Sequence, residues 1–269
     1  MRDFIEHITK KADPYLLIES FKRWKSLYFN VDLLGKRIAS KLIFVFLLAL
    51  KLVICFMPAE YSDFSQLAAW MDTMMKATEM TDDLMVIPLT PQNVIYVAVV
   101  SFSVYLTVLG IFLYSGLFLR SARKASGNNI SAGAFAGRFF ILALFLLLFS
   151  IPLMFVTVYG FLIMLLFIPF ICTIPVCYLS GDFGFWRAIG STFRRTRGFY
   201  LMIMGDVTGT YVLYLIVSFI VMLLQFASQT AYLIVSSAVD VWYYLIFARI
   251  CTFAYIAMCK KSNARKISV

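Results

Sequence analysis

The feature that most constrains the fold is a long uncharged stretch from residue 139 to residue 179. A membrane-spanning helix needs about 20 apolar residues, because it rises about 1.5 Å per residue through a hydrocarbon core of about 30 Å. The stretch is too long for one span, so it predicts two helices, about 139–157 and 161–179, joined by a tight turn at Val158-Tyr159-Gly160. Three prolines inside these helices are expected to bend them or end them early: Pro152, Pro169 and Pro175.

Four other apolar runs are long enough to cross a membrane. The whole chain is 62% hydrophobic and 14% charged, a balance typical of proteins that cross the membrane several times. The predicted fold is therefore all-α, with six transmembrane helices arranged as three hairpins. The four further spans are expected at about 38–57, 93–119, 200–225 and 232–258.

The positions of Lys and Arg predict the orientation. Of the 24 basic residues, 21 lie before or at the start of the first span, between spans two and three, between spans four and five, or in the tail. The opposite connections hold a single base, Lys76, together with the densest cluster of acids, which lies in the segment 59–92. Because cytoplasmic loops are enriched in basic residues, both termini are expected in the cytoplasm of a bacterium, with 59–92 outside. The predicted parts are a cytoplasmic segment 1–37, a membrane domain 38–259 and a basic tail 260–269.

The segment 180–200, between the fourth and fifth spans, predicts a short basic amphipathic helix in the membrane interface. One side would carry apolar residues, namely Phe185, Trp186, Ile189 and Phe193. The other side would carry Arg187, Ser191, Arg194 and Arg195. We expect these arginines and Arg197 to face anionic headgroups. Asp182 is the predicted N-cap, and Gly198 the predicted break before the fifth span.

Three other segments have amphipathic patterns. The segment 126–140 looks like a weaker basic interfacial element, and the acidic loop 59–92 predicts a helix through Phe64, Leu67, Met71, Met74 and Met75. In the N-terminal segment, Trp24 lies on an apolar helical line, and three bases lie off it: Lys22, Arg23 and Lys25. This last helix either lies in the membrane surface or packs on the protein's own cytoplasmic face.

Four charged residues fall within predicted spans: Lys51, Asp206, Asp240 and Arg249. A charge at mid-bilayer costs roughly 2.5–3.5 kcal/mol on insertion scales, so each should face protein, water or an opposite charge. Matched depth predicts two pairs, Asp206 with Arg249 and Lys51 with Asp240. Two interpretations stay open: ion pairs that fix helix register, or a polar or proton-coupled path between helices one, five and six.

The sequence offers no catalytic set and no cofactor site. His7 is the only histidine, and no zinc, nucleotide-binding or serine-hydrolase motif is present. The five cysteines form no CxxC pair, which speaks against metal and disulfide sites. The net charge of +10 is explained by the positive-inside rule, so nucleic-acid binding is not expected.

Three stretches carry a resemblance to a known family: YSGLFLRSARKASGNNIS (114–131), AYIAMCKK (254–261) and IPFICTIPVCYLSGDFGFWRAIGSTFRRTRGFY (168–200). In the last, Ala188, Ser191, Arg195 and Gly198 form a degenerate spaced element. The chain thereby resembles, over about 20–260, a largely uncharacterised group of bacterial six-helix integral membrane proteins similar to the membrane domain of some glycerophosphoryl diester phosphodiesterases. The resemblance implies a six-helix fold with interfacial elbows and no catalytic residues, since the phosphodiesterase domain is absent.

These observations favour a non-enzymatic membrane accessory or scaffold protein. It would bind anionic lipid and either a membrane-protein partner or further copies of itself, and its expected place is beside a transporter or export system. The alternative is a small secondary transporter or lipid-handling protein that uses the polar residues between helices one, five and six.

Overall fold

A computed structural model of the chain describes residues 38–76, 87–124, 131–153 and 158–267. All regular secondary structure in these segments is helical, which confirms the predicted all-α class. The amphipathic segment predicted around Trp24, with Lys22, Arg23 and Lys25, lies outside the described residues.

The described segments contain eight α-helices. They are α1 (Ile38–Cys55), α2 (Ser65–Lys76), α3 (Pro91–Lys124), α4 (Ala132–Leu153), α5 (Val158–Leu179), α6 (Phe185–Arg195), α7 (Tyr200–Met222) and α8 (Gln229–Ile267). Short 3₁₀ helices cover Ala59–Ser62 and Leu223–Phe226.

Four of the described helices are long and apolar enough to span a membrane, which indicates a membrane protein. These spans are Ile38–Cys55, Pro91–Arg120, Tyr200–Phe226 and Gln229–Cys259. Their outer faces are apolar and exposed, with Phe219 and Phe102 as examples, and lipid is the solvent that suits such surfaces. Helices α4 and α5 are where the third and fourth spans were predicted, but their described apolar stretches, Ala132–Leu148 and Phe167–Leu179, are shorter.

Several predicted boundaries are wrong in detail. Val158–Gly160 was expected to form a turn, but these residues are the first of α5. Of the interfacial element expected at 126–140, the residues from Ala132 onward belong to α4, which runs without a break into the apolar stretch, and 126–130 lie outside the described residues. The sixth span, predicted at about 232–258, is observed at Gln229–Cys259, and helix α8 continues past its end to Ile267. The sequence prediction placed helix ends at charged residues and glycines. The helices continue through some of these positions because backbone hydrogen bonding is maintained there.

The prolines predicted at helix positions are helical. Pro169 and Pro175 lie inside α5, and Pro152 lies near the end of α4. Thr173 donates its hydroxyl to the carbonyl of Pro169 at 2.6 Å. Membrane helices tolerate such prolines where hydroxyls and neighbouring helices satisfy backbone groups. The bends themselves stay a prediction.

Helix α8 is the central element of the packing. It contacts α7, α3, α1 and α5 along its length and touches α6 near its end. The largest buried cluster forms where α8 meets α5 and α7, and it includes Cys172, Val176, Ile203, Ile250 and Cys251. A second cluster joins α8 to α1 and α3 through Leu47, Ile111 and Leu245. A long apolar helix with small residues suits this central place, because close packing between membrane helices favours small side chains.

A glycine allows three helices to meet closely. A Cβ built on Gly116 of α3 would lie 2.7 Å from the Phe135 ring of α4 and 3.2 Å from a methyl group of Leu179 in α5. Since 2.7 Å is far inside van der Waals contact, any side chain there must displace the ring. The absence of a side chain at Gly116 therefore sets the spacing of α3, α4 and α5.

We expect Gly116→Ala to destabilise the protein by about 1–3 kcal/mol, the usual range for overpacking. The matched control is Gly133→Ala in α4, where an added Cβ would meet nothing within 4 Å. Thermal unfolding in detergent micelles should show a lower midpoint for the Gly116 variant and little change for the control. Equal midpoints would show that Phe135 can move aside freely.

Candidate functional site

An ion pair joins α1 and α8 within the apolar spans. The Lys51 ammonium lies 2.8 Å from Oδ2 of Asp240, and the two side chains are 29% and 22% exposed. The contact confirms the predicted Lys51–Asp240 pair. Lys51 is about one turn before the end of α1, whereas Asp240 is about 17 Å along α8 from Gln229.

A third helix completes the site. The Tyr214 hydroxyl of α7 donates to Oδ1 of Asp240 at 2.6 Å, so both carboxylate oxygens are engaged. The Lys51 ammonium also lies 5.7 Å from the ring centroid of Tyr244, a cation–π distance. Asp240 is thus held from α1 and from α7 at once. Charge-assisted hydrogen bonds of this kind are stronger than neutral ones.

A group of four tyrosines lies beside this ion pair. The Tyr243 ring centroid is 4.7 Å from that of Tyr214, 6.4 Å from that of Tyr211 and 6.1 Å from that of Tyr244. These residues were not predicted from the sequence, although four tyrosines within the middle of two apolar spans are a usable signal. Their hydroxyls make the site more polar than a bare ion pair. We name Lys51, Asp240, Tyr214 and Tyr244 the intramembrane polar site.

The second predicted charge, Arg249, is almost fully buried at 3% exposure. Its Nε donates to the Tyr114 hydroxyl of α3 at 2.9 Å, and its guanidinium carbon lies 5.9 Å from the Tyr114 ring centroid. Tyr114, which lies among apolar residues of α3, was not predicted as a partner of Arg249. Asp206 lies on α7, half-buried. The pairing of Asp206 with Arg249 stays a prediction.

Hydroxyl groups join α3 to α8 beside Arg249. Ser115 donates to the carbonyl of Ala248 at 3.0 Å, and Thr252 donates to the carbonyl of Ser115 at 3.2 Å. Both residues are fully buried. Serine and threonine form such bonds between membrane helices where small side chains bring the backbones together. Arg249 therefore occupies a packed helix interface.

Helix α6 was predicted as a basic amphipathic helix and is confirmed as a helix at Phe185–Arg195. Glycines in the left-handed region bracket it, with φ 85° at Gly181 and φ 87° at Gly198. Glycine adopts this conformation without the steric cost that a Cβ brings. The break predicted at Gly198 is confirmed, because the chain turns there and α7 begins at Tyr200.

The face by which α6 packs differs from the prediction. Its buried residues are Ala188, Ser191 and Thr192, and the Ser191 hydroxyl lies 3.4 Å from the Cys177 sulfur of α5. Ser191 was expected on the exposed polar side. Small side chains allow the helix to approach α5 closely. They therefore form this contact in place of the larger apolar residues of the helix. Trp186 points away from the protein at 80% exposure.

The loop before α6 is fixed by polar contacts rather than by a helix cap. The predicted N-cap, Asp182, is wrong, since Gly184 precedes the helix. Asp182 Oδ2 instead accepts from the hydroxyls of Tyr255 at 3.0 Å and Ser180 at 3.2 Å. Asp182 lies two residues before the cap position, Gly184, and its carboxylate accepts from the hydroxyl of the buried Tyr255 of α8 instead of capping the helix.

Two arginines brace the same loop. Arg138 of α4 donates to the carbonyls of Tyr178 and Phe183, at 2.9 and 2.7 Å. Arg195 donates to the Cys259 sulfur at 3.3 Å and lies 5.0 Å from the Phe183 ring centroid. Arg195 was expected to face headgroups, but these contacts turn it toward the protein. The arginines left exposed are Arg187, Arg194 and Arg197.

No group of three or more His, Cys, Asp or Glu side chains that could hold a metal ion occurs among the described residues. Comparisons with family models, with curated proteins and with solved structures found no match for this chain. The predicted resemblance to the phosphodiesterase membrane domain therefore stays a prediction. What can be argued about function comes from the intramembrane polar site and from α6.

We expect Lys51→Met and Asp240→Leu each to destabilise the protein by about 2–4 kcal/mol, because each leaves its partner charged and unpaired within the apolar spans. The double variant should recover most of that loss, since it removes both charges. Thermal unfolding in lipid nanodiscs gives the coupling energy. Additive losses in the double variant would show that the pair contributes no mutual stabilisation.

Proposed function

We propose that this chain is a non-enzymatic integral membrane protein of the bacterial inner membrane, which binds anionic lipid and serves as an accessory or scaffold for a membrane partner. The single observation that carries the proposal is the arrangement of α6. Its small face is buried against α5, while Trp186, Arg187 and Arg194 are exposed. An aromatic and two cations presented together suit a membrane interface.

The proposed topology has six spans with both termini in the cytoplasm. The positive-inside pattern supports it, and so do the positions of α4 and α5 between the longer apolar helices α3 and α7. In that topology α6 lies on the cytoplasmic surface. Its exposed arginines then face the anionic leaflet, where each well-placed base contributes about 1 kcal/mol.

The scaffold role rests on how α6 is held. Arg138, Tyr255 and Arg195 tie the loop and helix to α4 and α8. Because α6 and the loop before it are already held in place, binding of headgroups or of a partner does not carry the entropic cost of ordering a loop. The acidic segment containing α2 would offer a second surface on the outer side of the membrane. No catalytic arrangement is needed for either role.

The lipid arm of this proposal is tested by replacing Arg187 and Arg194 with glutamine. Two lost bases should weaken anionic-lipid retention by about 2 kcal/mol, or about thirtyfold. Native mass spectrometry from nanodiscs of mixed phosphatidylglycerol and phosphatidylcholine measures the ratio of the two bound lipids. The double lysine variant at these positions keeps the charge and should keep the ratio.

A second control, Lys76→Gln, removes an exposed charge from α2 and should leave the retained lipids unchanged. Equal lipid ratios in wild type and in the double glutamine variant would contradict the proposal. Stoichiometric protein partners in the same spectra would support the scaffold role, because native spectra report bound protein as well as lipid.

The alternative function is a lipid-handling or transport protein, and the intramembrane polar site favours it. Lys51 and Asp240 retain partial exposure within apolar spans, at 29% and 22%. A polar patch at this depth lowers the cost of moving a headgroup past the hydrocarbon core, since the headgroup exchanges water for fixed charges. Such a role needs Asp240 to be charged.

For this alternative we expect the protein alone to move fluorescent phosphatidylglycerol between the leaflets of liposomes, with the rate lost in Asp240→Asn. Dithionite reduction of the outer-leaflet dye measures the movement. The control is Asp72→Asn, which removes an exposed acid of α2 that pairs with Lys76 at 2.6 Å. Wild-type protein that leaves the dye in its original leaflet would rule the alternative out.

A further inference from the structure

Helix α2 lies apart from the intramembrane polar site and from α6, and it carries an unusual concentration of methionine. Of the 13 methionines in the chain, six fall between residues 57 and 85. Three of them lie in α2, as Met71, Met74 and Met75. Residues three and four apart on a helix are surface neighbours, with Cβ atoms about 5–6 Å apart. The three thioethers therefore share one patch of the helix.

The methionine patch faces outward. Met71 is 52% exposed and Met75 is 78% exposed, while Met74 is half-buried. If these side chains served only to pack α2 on the protein, the outer two would be covered. Methionine has three rotatable bonds, so the three sulfur atoms can converge on one point above the helix.

The helix that carries the patch is anchored at its start. Asn93, which is 2% exposed, donates from its amide nitrogen to the carbonyls of Tyr61 and Asp63, at 3.2 and 2.8 Å. The Phe64 and Tyr96 ring centroids lie 6.0 Å apart, with the rings edge to face. These contacts fix the residues immediately before α2 to the beginning of α3. The three thioethers therefore project from a helix whose N-terminal attachment is fixed.

From these observations we propose that Met71, Met74 and Met75 form a binding site for a soft monovalent metal ion, Cu(I). Thioether sulfur selects Cu(I) over the harder divalent ions. The site needs no deprotonation, because a thioether carries its lone pairs at any pH, whereas a thiol must ionise to bind metal. On the proposed orientation the site faces the outer compartment, where thiols oxidise and thioether ligands are the better choice.

The pH dependence separates this site from the cysteines of the chain. The backbone N–H of Ser65 donates to Asp63 at 3.0 Å and lowers the pKa of that exposed carboxyl from its ordinary value. Asp63 therefore stays ionised in mildly acidic solution, and the start of α2 keeps this hydrogen bond. Binding by the three methionines should persist at pH 5.5, where cysteine thiols are protonated.

The test uses the full-length protein in detergent micelles, with accessible thiols first blocked by N-ethylmaleimide. Cu(I) is titrated anaerobically at pH 5.5 against a chromophoric Cu(I) chelator. We expect the wild-type protein to take one equivalent of Cu(I) from the chelator. Replacing all three methionines by leucine, which nearly conserves side-chain volume, should abolish that equivalent.

The matched control carries the same three-for-three replacement at Met202, Met204 and Met222 of α7. It should bind Cu(I) as wild type does, and far-ultraviolet circular dichroism should show equal helix content in all three proteins. X-ray absorption of the loaded protein should show sulfur ligands only. The proposal is overturned if wild type takes no Cu(I), or if the α2 variant binds as much as wild type, in which case the patch is an apolar surface only.

Discussion

The structure depends on the rule that a charge inside an apolar helix must find partners. Asp240 meets it with the Lys51 ammonium of α1 on one oxygen and the Tyr214 hydroxyl of α7 on the other. An unpaired charge in this position costs several kcal/mol, whereas the paired site fixes how α1 and α7 are aligned against α8. The Tyr214 hydroxyl and the Tyr244 ring stabilise the same two charges.

Helix α8 repeats the arrangement along its length. On the C-terminal side of Asp240, Arg249 donates a hydrogen bond to Tyr114 and Thr252 donates one to the backbone of α3. Further along, Tyr255 donates to Asp182 in the loop before α6. From Asp240 to Tyr255 is about 22 Å of helix. Polar contacts at four levels, each to a different neighbour or turn, define one register of the bundle. Apolar packing alone would leave helices free to slide, because lipid competes equally for apolar surface.

The sequence was sufficient for the features that follow from single residues in single helices. Apolar runs located the long helices, and charge at matched depth identified Lys51 with Asp240. It failed where the outcome depends on which face meets which neighbour. Ser191 looks polar and exposed on a wheel, yet a small hydroxyl is what fits against α5. Tyr114 was not predicted for the same reason, since a single tyrosine in an apolar run shows its partner only in three dimensions.

The contacts of α8 also bear on which motion the bundle permits. For α8 to slide along its axis, the contacts of Asp240, Arg249, Thr252 and Tyr255 would have to break together. Separation of α1 from α8 near Lys51 breaks only the first of these. The ion pair is also the contact that keeps partial exposure, while Arg249 is buried. Separation of α1 from α8 would also have to break the apolar packing of Leu47 in the cluster that joins the two helices, and it leaves in place the contacts that hold α6.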